Sequence, residues 1–115
     1  MATEIGHRVA DLADGIDSLG KTSFANRLRE SSYCISGILA EGSSCPTKPE
    51  FAVFVGHARA ATLEIANLII FFSERELISE EDETNLVNML KRESRMLDNF
   101  RQSLERAGKP DPIGA

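Results

Sequence analysis

The residues able to do chemistry in this 115-residue chain are few and scattered. His7 and His57 are its two histidines. Neither belongs to a Glu-x-x-His or His-Glu-x-x-His pattern, the spacings that converge metal ligands within a helical bundle. Cys34 and Cys45 match neither a zinc spacing nor a disulfide framework. Reduced thiols in a cytoplasmic protein are the expectation, with Cys34 packed as a small hydrophobe and Cys45 exposed in the Gly-Ser-Ser-Cys-Pro connector. Glycine-rich phosphate loops and nucleophile–base pairs are absent from the sequence. No catalytic residue, metal ligand or cofactor is expected, and the chain reads as a non-enzyme.

The charged candidates are of another kind. Glu41 ends the second predicted helix, where a carboxylate faces the negative end of the helix dipole. A structural ion pair or cap interaction, with Arg59 or Arg29, is expected there ahead of a site acid. Lys91, Arg92, Arg95, Arg106 and Lys109 fall within one quadrant of the fourth predicted helix, opposite Leu90, Leu97 and Leu104 and flanked by Asp98 and Glu105. A solvated face is the ordinary reading. The alternative is a phosphate-contacting strip for a nucleic-acid or nucleoprotein partner, repeated by symmetry in an oligomer. It lacks the interleaved aromatics that stack single-stranded bases. A net charge of −5 also argues against a generally nucleic-acid-binding surface.

Four helices must position these groups. Ile5, Val9, Leu12, Ile16 and Leu19 alternate at spacings of four and three, so a short first helix is predicted over 3–19, with Gly20 as its stop. The second spans about 22–41, capped by Thr22 or Ser23, with Phe24, Leu28, Ser31, Ile35 and Ile38 on its seam. Gly42 is expected to take the left-handed position that ends it. The third opens on Thr47 as N-cap, with Pro49 and Glu50 just inside, and runs to about Leu77. Its core stripe is Phe51, Val55, Ala58, Thr62, Ile65, Ile69 and Phe72. Ser79 caps the fourth, whose buried stripe is Leu86, Met89, Leu90, Leu97, Phe100 and Leu104. Gly108 ends it, and Pro110 and Pro112 leave 110–115 as a disordered tail.

Nothing in the sequence alternates like a strand. Connections of a few residues make neighbours antiparallel. An all-α, up-down-up-down four-helix bundle over residues 1–109, forming one domain, is the prediction. The N-terminus has neither a basic nor an apolar leader-like segment. The longest apolar stretch, Leu63 to Phe72, is broken by Glu64 and Asn67 and falls short of the ~20 residues a membrane span needs. A cytoplasmic, non-membrane protein is expected.

The stretch from Leu28 to Ser44 resembles a motif of the bacterial four-helix-bundle family first noticed as proteins encoded in ribosomal-RNA intervening sequences. Arg29, Ile35, Leu39, Ala40, Glu41 and Gly42 carry the match. Lys48, Glu50, Phe51, Phe54 and Val55 resemble the family's next helix start, with Pro49 inserted. Glu64 resembles a glutamate further along that helix. Leu77, Ile78, Ser79, Glu80 and Glu81 resemble its closing helix start. The resemblance runs over residues 24–105. It implies a four-helix bundle that assembles as a ring-shaped homopentamer, with no activity assigned. A related branch, the accessory variability proteins of diversity-generating retroelements, implies a nucleoprotein partner bound through a basic surface.

The third helix carries more apolar surface than one stripe can bury. Val53, Ala60, Leu63, Ile70 and Phe71 lie off the core stripe. Together with His57, Glu64 and Asn67 they form a predicted oligomer interface, with Glu64 making a polar contact across the subunit boundary. A contiguous apolar patch of this kind marks an interface, and further copies of the chain would cover it.

Overall fold

The computed structural model describes residues 2–108, with side chains from Glu4 onward. The expected tail, 110–115, and Lys109 lie outside the described residues. Among the described residues four helices make up the fold: α1 (Ala2–Ser18), α2 (Thr22–Ser43), α3 (Lys48–Glu74) and α4 (Glu80–Ala107). Each packs against its neighbours in the chain, and α1 closes the square against α4. The backbones of the diagonal pairs, α1 with α3 and α2 with α4, stay more than 8 Å apart between Cα atoms. This is the predicted antiparallel bundle. It is drawn out to 61 × 23 × 19 Å. With 17 residues, against 28 in α4, α1 is too short to run its full length.

One core joins the helices. Val9 and Ile16 from α1, Leu28 from α2, Val55, Ile65 and Ile69 from α3 and Leu90 from α4 are fully buried. Two residues placed in the core by periodicity lie outside it. Leu19 is 58% exposed because α1 stops at Ser18 and Gly20, at φ 79°, turns the chain away. Phe100 is 42% exposed. Ile5 of α1 shares a cleft with Glu93 of α4, so Phe100, two turns further along, lies beyond the start of α1. Its ring instead meets Phe51 edge-on, with centroids 5.4 Å apart.

The helix ends follow local chemistry, with corrections at α2 and α3, and both cysteines differ from expectation. Thr47 caps α3 as expected: its Oγ accepts from the Glu50 N–H at 3.3 Å and its hydroxyl donates to Glu50 Oε1 at 3.1 Å. Ser79 caps α4 by accepting from the Asp82 N–H. At α2, however, Lys21 occupies the cap position and no side chain caps, so Thr22 and Ser23 lie inside the helix. The third helix stops at Glu74, short of Leu77. Glu76 takes the left-handed conformation, φ 61°, so that the Leu77 N–H reaches the Phe72 carbonyl at 2.9 Å. That turn returns Ile78 to the core. Cys34 is exposed on α2 rather than packed. Cys45 is half-buried rather than exposed, its Sγ 3.7 Å from the Glu41 carbonyl.

Gly42 also differs from expectation. It lies within α2, buried, with an ordinary helical backbone. The reason for glycine is close approach: a Cβ there would sit 2.7 Å from Phe54 Cβ and 2.8 Å from Phe51 Cδ1. The two aromatics at the start of α3 therefore rest directly on the α2 backbone. Gly37 has open space around it and makes no such approach. Gly42→Ala should destabilise the fold by about 1–3 kcal/mol through overpacking. Gly37→Ala should stabilise it by up to about 1 kcal/mol through helix propensity. Urea unfolding of the two variants checks the contrast, and equal effects would refute it.

Candidate functional site

The outward face of α3 is where the sequence placed its interface, and the structure leaves that face bare. Two stripes share the helix. The inner one, including Ala52, Val55, Ala58, Thr62, Ile65, Ala66, Ile69 and Phe72, is buried against α2 and α4. The outer one runs Val53, His57, Ala60, Glu64, Asn67, Phe71, at spacings of four and three, with Leu63 and Ile70 beside it. All eight are exposed. Among them Val53 is 56% exposed, Phe71 46%, and Leu63 and Ile70 37% each. A helix at a corner of the square has two neighbours, and among the described residues these reach only the flanks of the outer stripe, at Glu64 and Ile70. From Val53 to Phe71 the stripe is about 27 Å long at the α-helical rise.

Polar side chains interrupt the apolar ones at its centre. Glu64 pairs with Arg27 of its own α2 at 3.3 Å, so within one chain its carboxylate already has a cation. His57 stands edge-on to Phe54, ring centroids 6.1 Å apart. At the far end Arg75 lies 5.9 Å from the rings of both Phe71 and Phe24.

The basic strip lies on the other long helix. Lys91, Arg92, Arg95 and Arg106 are exposed, and among the described residues none makes an ion pair. The acids expected to flank them are engaged elsewhere. Arg101, which the sequence reading passed over, donates to Asp98 at 2.7 Å and to Glu105 at 2.8 Å. Gln102 adds a bond to Asp98 at 3.0 Å, and Arg59 approaches it at 4.0 Å. The hydrogen bond from Arg101 holds the Asp98 carboxyl below the ordinary carboxylate range, against an opposing effect of desolvation. Asp98, then Glu105, raises the Arg101 guanidinium in turn.

Glu41 and Arg29, both carried by the motif, part company. Glu41 is exposed and, among the described residues, pairs with neither Arg59 nor Arg29. What it contributes is its backbone carbonyl, which accepts from Ser44 Oγ at 2.8 Å at the end of α2. Arg29 instead ties α2 to α1, donating to Asp14 at 2.6 Å and lying 2.7 Å from Asp17. Hydrogen bonds to Asp14 and then Asp17 push the guanidinium further up. Among the described residues no three His, Cys, Asp or Glu side chains gather as a metal-holding group.

Comparison with known proteins returns one family. Residues 1–99 match the family model described as 23S rRNA-intervening sequence protein. No curated protein and no solved structure matches the chain.

The Asp98 cluster has a pH signature. A carboxylate whose folded pKa is depressed contributes stability above its unfolded pKa, about 3.9, and loses it as pH falls through the lower folded value. Carboxyl NMR titration should place Asp98 below that reference. Asp98→Asn should flatten the acid limb of stability in the same window. An Asp98 titrating at or above the reference would overturn the assignment.

Proposed function

We propose that this chain, which belongs to the 23S rRNA-intervening sequence protein family, acts as a non-enzymatic self-assembling module built on the outer face of α3. The observation that carries the reading is the bare stripe from Val53 to Phe71. Each large apolar side chain left in water forgoes roughly 1.5–3 kcal/mol of burial, and four of them share one helix face. A patch rimmed by polar groups such as Glu64 and Asn67 is the usual form of a protein interface. In a closed ring the stripe on one copy meets a different surface on the next, whereas in a two-fold dimer it meets itself. The family resemblance favours a ring, with five copies as the expected number.

By length and composition alone α3 is also apolar enough to cross a membrane, although its longest unbroken apolar run is short. Its inner stripe belongs to the bundle core, and charged Glu64 stands mid-face. We therefore read the outer stripe as a surface for protein in the cytoplasm rather than for lipid.

Light scattering on the full chain at micromolar concentration should give a mass several times that of one subunit. Phe71→Glu and Val53→Glu should reduce it towards the monomer while the helical circular dichroism persists. A wild-type monomer would remove the proposal.

A second reading has its own observation. Lys91, Arg92, Arg95 and Arg106 are free of acidic partners among the described residues and span about 22 Å of α4. Four unneutralised cations in a strip suit a phosphate backbone, and a ring would multiply them. The overall charge of −5 opposes this. If the strip binds nucleic acid, anisotropy of a labelled RNA should rise at low ionic strength and fall steeply as salt is added. Lys91→Glu with Arg95→Glu should abolish the rise. No rise at low salt would exclude a nucleic-acid role.

A further inference from the structure

One charged side chain among the described residues is buried, and it takes no part in the assembly face or the basic strip. Glu93 lies on the core seam of α4, in step with Leu86, Leu90 and Leu97 at spacings of four and three. A leucine there would continue the stripe. The residue is instead 7% exposed, and one of its two carboxylate oxygens, Oε2, is buried without a hydrogen-bond partner. An ionised carboxylate withdrawn from water is strongly unfavourable unless a cation or a donor completes it. Among the described residues no cation does so: the arginine ion pairs are all made with other acids.

Beside Glu93 lies a cleft of about 310 Å³ between the first half of α1 and the middle of α2. Ile5 and Ile35, both buried, stand on its apolar side. His7, Tyr33 and Ser36 bring polar atoms to its edge, and Tyr33 is 70% exposed, leaving its ring free to close over an occupant. Small-molecule sites have this make-up, apolar walls around a few placed polar groups, in cavities from roughly 300 Å³ upward.

We propose that this cleft binds a small organic cation, an ammonium or guanidinium group on an apolar body about the size of one aromatic ring. The cationic head pairs with the side of the Glu93 carboxylate that borders the cleft. The body lies against Ile5 and Ile35. The Tyr33 ring offers its face to the charge. An anion is rejected by Glu93, and a neutral ligand leaves the carboxylate unpaired. A divalent cation is poorly served, because it needs several oxygen or nitrogen ligands and no three such acidic or imidazole groups gather among the described residues. The inference is independent of the assembly reading, since it uses α1, α2 and α4 and no residue of the α3 stripe.

The probe is phenethylamine, titrated into the full chain and followed by NMR, with 2-phenylethanol as the neutral match. The amine should bind saturably, shift Ile5, His7 and Ile35, and bind at least about tenfold tighter than the alcohol. Glu93→Gln, similar in shape, should remove that preference. Comparing amine with alcohol on the wild-type chain decides the matter even if the variant fails to fold. Equal binding of the two, no saturable binding, or a lysine or arginine of another copy found seated on Glu93 would each overturn the proposal.

Discussion

The constraint that organises this molecule is the mismatch between the apolar content of α3 and the number of neighbours a corner helix can have. In a square of four antiparallel helices each member touches two others. That covers one broad stripe. The sequence of α3 supplies two, and only the inner one is buried against α2 and α4, which touch the outer one just at its flanks, at Glu64 and Ile70. Burial of apolar area is the main favourable contribution to folding, so an uncovered second stripe is a standing driving force for association. His57, Glu64 and Asn67 interrupt it with polar groups, which under the proposed assembly would set its register.

The rest of the bundle holds α3 in the orientation that exposes this face. At one end, Phe51 and Phe54 rest on the α2 backbone at Gly42, and Phe51 also meets Phe100 of α4. On the opposite corner Arg29 pins α2 to α1 through Asp14 and Asp17. On α4, Arg101 gathers Asp98 and Glu105 and brings Asp98 within reach of Arg59 on α3. These are side chains exposed enough that their net worth is modest. Their effect is to fix geometry and to leave Lys91, Arg92, Arg95 and Arg106 without counter-charges among the described residues.

Much of this was legible in the sequence, because helix periodicity and capping are local. The four helices, their order, the Thr47 and Ser79 caps and both stripes of α3 follow from spacing alone. What spacing does not contain is the distance between helices. Gly42 looks like a helix stop until Phe51 and Phe54 are seen against it. Phe100 looks like core until α1 proves too short to cover it. Glu41 looks like half of an ion pair, yet Arg29 has nearer acids on α1. Leu19 and Cys34 follow the same rule: the right residue type for burial, with no neighbour present to bury it. Glu93 was missed for the opposite reason. A charged residue at a seam position breaks the pattern, and a count of apolar positions passes over it.

Sedimentation velocity of the unmodified chain across a dilution series tests the central claim most directly. The account predicts a single assembled species at micromolar concentration, dissociating to monomer only on dilution, as burial of the α3 stripe requires. A monomer at every concentration, with Val53, Ile70 and Phe71 open to water, would contradict it.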